Sequence, residues 1–359
     1  MCIVPAAVIH AAGAESEQPS LQEAYQDAFA LGTAVHTWTA NRDDPFQQTL
    51  RQLTAHHFRV VVPENAFKWK WIHPDRGRYD FRDADAFFKF AKTHNLEVVG
   101  HVMVWHRAAP QWIFEGEAGK PASREQVIQR LRDHMATLIN RYGDGVVAWD
   151  VVNEALSDKG PDVLRDSPWR RLLGDDYVEI AFRLADELAP NSTLIYNDYG
   201  WNMEGKRRRG LAWLKGMLER GVPIDAIGLQ AHWSLHGPSP EDVQRILDDV
   251  ASLGLPLHIS ELDMNIFRWD DRENRPLQAG FPDDIAYQQA VRYRQWFEIF
   301  LANRDRIERV SFWGVSDRMS WLNHFPVERQ NYPLLFDRDA RPKPAFGAVL
   351  DAARDTKTE

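Results

Sequence analysis

Eight apolar runs rich in β-branched and aromatic residues recur along this chain, and each is followed by a stretch whose apolar residues repeat with helical spacing. The runs are ALGTAVH (30–36), FRVVVP (58–63), EVVGHVMVW (97–105), VVAWDVV (146–152), TLIYNDY (193–199), DAIGLQAHW (225–233), PLHISEL (256–262) and RVSFWGV (309–315). Helical patterns fall at 42–55, 83–94, 123–142, 176–189, 205–220, 239–253, 284–303 and 343–354. Near-continuous apolar strands are what a parallel sheet covered by helices requires, and eight such units imply closure into a barrel. No Gly/Pro/Ser linker or shift of composition divides the chain. The expected fold class is therefore α/β, a single (β/α)8 TIM barrel over 25–354, with tails at 1–24 and 355–359. Ser123 with Gln126 reads as a capping box, and Pro240, Glu241 and Asp242 suit a first helical turn. The stretch 266–284 is too long for a minimal βα connection, and long loops at that face of a barrel usually shape a site.

Composition excludes several functions. A formal net charge of −9 offers no basic face for phosphate neutralisation. The one compact basic run, Lys206 to Arg209, falls on an expected surface helix, so nucleic acid is not an expected partner. A single cysteine, Cys2, rules out an internal disulfide and any cysteine-based metal cluster. Thirteen histidines include no H-E-x-x-H pair, no glycine-rich phosphate loop follows a strand, and there is no G-x-S-x-G elbow. No metal or cofactor is expected. No run reaches the 18 or more apolar residues of a membrane span. The opening CIVPAAVIHAAGAES reads either as the remnant of an export signal, which would make the protein secreted or periplasmic, or as a frayed tail, which leaves a cytoplasmic protein as the alternative. A monomer is expected.

What distinguishes the chain is where its polar residues fall. Strand after strand ends in them: Glu64 and Asn65; His101, Trp105 and His106; Asn153 and Glu154; Asn197 and Tyr199; Gln230 and His232; Glu261 and Asp263; Trp313. That is the end of the strands at which barrel enzymes assemble their sites. Glu154 and Glu261 stand about a hundred residues apart, so only the closed fold can make them face each other. Two carboxyls roughly 5 Å apart let one attack an anomeric carbon while the other protonates the departing oxygen. Glu261 has candidate donors in His232 and Asn153, whereas Glu154 is followed by apolar Ala155 and Leu156. Glu261 is accordingly read as nucleophile and Glu154 as acid/base, both at the solvent-facing rim.

The stretches VPENAFKW (62–69), GHVMVWH (100–106), WDVVNEA (149–155), NDYGWN (197–202), GLQAHWS (228–234), ISELDMN (259–265) and VSFWGVSDRMSW (310–321) are ordered and spaced as in glycoside hydrolase family 10, the endo-β-1,4-xylanases, which the chain resembles across nearly all of 25–352. The resemblance implies hydrolysis of internal xylan bonds with retention, Glu154 as acid/base and Glu261 as nucleophile. It also implies that Glu64, Asn65, Lys68, His101 and Trp105 hold sugars on the non-reducing side, and that Asn153 grips the 2-hydroxyl. Gln230 and His232 would orient the nucleophile, and Trp313 and Trp321 would wall the nearest sugar. Tyr199 joins the substrate-binding set, with His106, Asn197 and Asp263 in support.

Plainer readings stand beside these. Lys68 could pair with Glu64, His101 and His106 could be hydrogen-bonded core histidines, and Trp69, Trp71 and Trp112 are assigned to packing. The chain also departs from the family where His106-Arg107-Ala108 replaces the usual His-Ser-Gln, where Gly200 replaces Asn, and where Ala66-Phe67 stand for Glu-Met. Chain-length or branch preference is therefore open. The alternatives are a related retaining β-glycosidase preferring short xylo-oligosaccharides or another β-glycan, and a non-catalytic glycan-binding barrel. The last is disfavoured because a pure binder need not keep both carboxyls, Asn153 and His232.

Overall fold

Buried on both faces, the apolar runs pair with one another in chain order. The computed structural model describes residues 20–274 and 280–356. Its strands are β1 (Ala30–Val35), β2 (Val60–Pro63), β3 (Glu97–Trp105), β4 (Val146–Asn153), β5 (Thr193–Asp198), β6 (Ala226–Leu229), β7 (His232–Ser234), β8 (Leu257–Asn265) and β9 (Ile307–Phe312). Every pairing is parallel, from β1 against β2 round to β9 against β1, where Thr33 lies opposite Phe312. Pairing of β6 with β8, Gly228 opposite His258, closes the ring. These are the eight expected staves of a (β/α)8 barrel.

The sixth expected run, 225–233, is not one strand. It breaks at Gln230-Ala231, where Ala231 adopts a left-handed φ of 54°, and resumes as the short β7 against the end of β8. The kink leaves His232 opposite Asp263.

Helices lie outside the ring at Pro45–His57, Arg82–Thr93, Arg124–Tyr142, Tyr177–Leu188, Glu204–Glu219, Pro240–Ala251, Asp283–Ala302 and Pro344–Thr356, each within a few residues of its expected place. The Ser123/Gln126 capping box is present, and Ser239 caps the helix that begins at Pro240. One apolar cluster fills the space between strands and helices; a second, comprising the strand residues Ala34, Val60, Val62, Val99, Ala148, Ile195 and Ala226 with Trp313 just past β9, lines the barrel interior. No described helix is long and apolar enough to cross a membrane.

Most of the expected N-terminal tail, 1–24, lies outside the described residues. Its last part is structured: Leu21–Ala24 is a helical turn with Leu21 fully buried, and the adjacent Tyr25 hydroxyl donates to Val349 O at 2.6 Å on the last helix. The last helix likewise runs into the expected C-terminal tail, ending at Thr356.

Expected surface helix 205–220 carries the basic run, yet Lys206 and Arg207 are buried, each held by an aspartate: Lys206 on Asp198 and Asp158, Arg207 on Asp249. Helical periodicity sees only their charge, not the carboxylates brought by other elements.

Gly228 of β6 ties the barrel wall to the polar strand ends. A Cβ there would sit 2.2 Å from Asn197 Oδ1 on β5. Gly228→Ala should therefore cost about 1–3 kcal/mol of stability through overpacking, read from urea unfolding midpoints; an unchanged midpoint would mean that Asn197 can move aside freely.

Candidate active site

The C-terminal strand ends converge on one cleft of about 590 Å³. Its lining includes Glu64, Asn65, Lys68, His101, Trp105, Asn153, Glu154, Tyr199, Gln230, His232, Glu261, Trp313 and Trp321, so the expected catalytic and substrate-binding residues are brought together. His106, Asn197 and Asp263 do not line it and stand behind those that do. Glu154 and Glu261 are not at the rim: they are 9% and 4% exposed and form part of the cleft floor. With so little of either carboxylate exposed, neighbouring protein groups weigh heavily in deciding its charge.

Glu261 is supplied with donors. Asn197 Nδ2 donates to its Oε1 at 2.7 Å, and His232 Nε2 lies 3.1 Å from its Oε2. The other imidazole nitrogen, Nδ1, is 3.0 Å from Asp263 Oδ2, which also accepts from Trp321 Nε1 at 2.8 Å. Burial favours neutral His232, but the flanking carboxylates Asp263 and Glu261 outweigh it and push its pKa up to about 10. The ring is thus an imidazolium at neutral pH. Burial would likewise raise Glu261, and the hydrogen bond and charge of His232 outweigh it, holding the carboxyl below its ordinary range. The expected donor Asn153 does not contact Glu261 directly: its Oδ1 accepts from Asn197 Nδ2 at 3.0 Å, making Asn197 the direct donor.

Glu154 sits in the opposite environment. Its pKa is raised, first by burial and then by the negative charge of Asp198, with Glu261 adding to it, against a smaller opposing effect of Trp105 and Arg107. Its closest side-chain partners, Asn153 Nδ2 and Gln230 Nε2, are each 3.4 Å from Oε1 and so contribute weakly. Gln230, expected to orient the nucleophile, donates instead to Asn153 Oδ1 at 3.0 Å. The backbone at Glu154 is left-handed, φ 58°, a conformation that costs about 1 kcal/mol or more in a non-glycine residue. It is held there because Glu154 N donates to Asn197 O at 2.9 Å and Arg165 Nε donates to Glu154 O at 3.2 Å.

Around this pair, His101 Nδ1 is 2.7 Å from buried Asp150 Oδ2, fixing the ring that meets Trp313 edge-on at 5.2 Å. Lys68 donates to Asn65 Oδ1 at 3.0 Å and lies 4.9 Å over the Trp105 ring, so Asn65, not Glu64, fixes its ammonium. His106 is pushed down to about 4, by burial and then by Arg165 and Arg107, and rests neutral against the edge of Trp105. Tyr199 donates to Asp158 Oδ2 at 2.6 Å and accepts from Arg165 at 2.9 Å.

Sequence reasoning missed part of the cleft. Phe325 stacks on Trp321 at 5.2 Å, and the Trp269 ring is tilted against Trp321 at 6.3 Å, so three aromatic rings gather in the lining. Trp269 could have been found, since it belongs to the long stretch 266–284; of that stretch, 275–279 lie outside the described residues. Trp69 is buried as expected, whereas Trp71 is 55% exposed and is not a packing residue. Ala108 is buried and its carbonyl caps Lys70 N, while Gly200, at φ 72°, lines the cleft where a Cβ would strike Met203.

Chemically, the cleft offers one carboxyl whose hold on its proton is strengthened by its surroundings and one whose hold is weakened, a division of labour suited to simultaneous proton donation and attack on a carbon. A family model described as Glycosyl hydrolase family 10 matches residues 20–352. The endo-1,4-beta-xylanase B of Paenibacillus barcinonensis is 39% identical over 336 residues, covering 93% of this chain and 98% of that one. The crystal structure of an endo-1,4-beta-xylanase from Caldicellulosiruptor owensensis superposes with a TM-score of 0.88 at 40% identity, covering 93% of this chain and all of that one. A mutant structure in complex with xylotriose gives 0.87 at 40% identity, covering 92% of this chain and 99% of that one.

The charged His232–Glu261 pair has a measurable signature. His232 binds its proton more tightly when folded, so its contribution to stability is complete below the ordinary value of 6.5 and is lost as pH rises toward about 10. Glu261, held down, contributes above its ordinary 4.5 and loses that contribution as pH falls. NMR titration of the His232 ring should give a midpoint near 10, and His232→Asn should flatten the alkaline part of the stability profile; a midpoint near 6.5 would dissolve the charged pair.

Proposed function

The chain belongs to glycosyl hydrolase family 10, and from that premise we propose that it is an endo-β-1,4-xylanase that hydrolyses internal xylosidic bonds of xylan by double displacement with retention. Glu261 attacks the anomeric carbon while Glu154 passes its proton to the departing glycosidic oxygen. Glu154, now a carboxylate, then takes a proton from water, whose oxygen displaces Glu261 and restores both groups. No cofactor is required.

The observation that carries this reading is the opposed electrostatics of the two buried carboxyls. Glu154 is raised by burial and by Asp198, and Glu261 is held down by His232 and Asn197. A glycan-binding barrel would have no use for such a division, and would carry the cost of two buried carboxyls without return. The cleft supports the remaining assignments: Glu64, Asn65, Lys68, His101 and Trp105 hold sugars on the non-reducing side, Asn153 meets the 2-hydroxyl, and Trp313 and Trp321 flank the reacting sugar. Tyr199, fixed by Asp158 and Arg165, joins the lining of the same cleft. Xylan or a xylo-oligosaccharide is the partner, and the protein acts as a monomer. Export, inferred from the opening segment, belongs to the same proposal and is checked by fractionation of cells that express the full chain.

Product analysis on unbranched xylan tests bond type, endo action and stereochemistry together: short β-xylo-oligosaccharides should appear early, with the β-anomer formed first. Glu261→Ala and Glu154→Ala should each lower kcat/KM on xylan by about 10²-fold or more, with azide restoring turnover of an activated aryl glycoside by the Glu154→Ala enzyme. An α-anomer as first product would replace double displacement by direct displacement by water.

A further inference from the structure

Behind Glu154 lies a group of charges that neither step of the double displacement uses. Lys206, on the helix Glu204–Glu219, is 2% exposed and reaches back to Asp198 Oδ1 at 2.9 Å and Asp158 Oδ1 at 3.0 Å, its ammonium 3.8 Å over the Tyr199 ring. Asp198, fully buried at the end of β5, also accepts from Tyr196 OH at 2.6 Å, Tyr199 N at 2.9 Å and Leu156 N at 3.1 Å, two residues past Glu154. Arg165 closes the circuit with bonds to Glu154 O, Leu156 O, the Tyr199 hydroxyl and Asp158. Two anions and two cations thus hold one strained backbone position and the residues that follow it.

We propose that Lys206 is a positioning residue for Glu154: with Asp158, Asp198 and Arg165 it forms a four-charge clamp that fixes the left-handed turn at Glu154 and balances the anion buried beside its carboxyl. The proposal rests on Glu154 being the acid/base. A surface salt bridge would leave little trace on catalysis, but this ammonium is buried and both its partners are bonded to the turn or to the groups that hold it. The other groups facing Glu154 are Glu261 from β8, Arg107 after β3 and Lys68 after β2, with Asn153 and Gln230 as uncharged neighbours. Removing the cation leaves the Asp198 charge with only its three hydrogen bonds from Tyr196, Tyr199 and Leu156, which makes Glu154 hold its proton more tightly and at a looser position. Removing the Asp158 charge does the reverse electrostatically.

The test compares two substrates, because only a poor leaving group needs the proton. Lys206→Gln should lower kcat/KM on xylan about tenfold while keeping kcat/KM on a dinitrophenyl xylobioside within about twofold, and Lys206→Arg should recover most of the loss. The upper limb of the pH profile should move to higher pH in Lys206→Gln and to lower pH in Asp158→Asn, opposite displacements that general loosening of the fold would not produce. Equal losses on both substrates, or limbs that stay put or move together, would overturn the clamp. Should Lys206→Gln not fold, Asp158→Asn decides alone, since its carboxylate is partly exposed; an unmoved limb there sinks the proposal. Glu154→Ala run beside them separates the two levels: if it shows no leaving-group dependence the acid/base reading fails, and if it does while the Lys206 and Asp158 variants do not, only the clamp fails.

Discussion

Closure of the ring between β6 and β8 is the constraint on which the site depends. It places the end of β8, with Glu261 and Asp263, beside the ends of β5 and β6, so that Asn197 can reach Glu261 and Asn153 together. Without closure, residues about a hundred positions apart would have no common floor. The geometry is also intolerant of bulk: Gly228 is the point where β6 lets the Asn197 amide through, so one absent Cβ on a strand supports a hydrogen bond to the Glu261 carboxylate. The register of the sheet and the placement of the polar groups are the same fact seen at two scales.

Two carboxyls buried in one cleft would ordinarily both be driven toward the neutral form, since burying an anion costs several kcal/mol even after relaxation. The protein resolves this unequally. Around Glu261 it gathers an imidazolium and an amide, and it charges the imidazole by placing Asp263 on its far side. Around Glu154 it gathers an anion and weak donors. The kink at Ala231 belongs to this arrangement, because it turns the sixth stave so that His232 lies opposite Asp263. A straight strand would alternate differently and present another residue there.

Much of this is legible in the residues alone, and the failures have identifiable causes. Strand and helix positions follow from hydrophobic period, which burial enforces, and the strand-end residues follow from the rule that sites form at one end of a barrel. The sixth run reads as unbroken because a single left-handed alanine has no compositional signal. Lys206 reads as a surface residue because charge normally predicts exposure; its burial is set by Asp158 and Asp198, one on a different loop and one on a different strand. Sequence assigns Asn153 and Gln230 one partner too far, since which amide faces which carboxylate depends on differences of an ångström that no spacing encodes. Trp71 looks like one more core aromatic, yet its helix Trp69–Ile72 buries only its first and last residues.

The seam between β1 and β9, backed by the Tyr25 bond to Val349, joins the two ends of the described chain. A nascent chain leaving the ribosome cannot make that seam until nearly all of it has been synthesised. Until then β1 presents an unpaired edge, and the growing sheet presents another at its most recent strand. The durability of the finished barrel and the vulnerability of its birth therefore share one origin: a cylinder has no edges only after its last stave arrives.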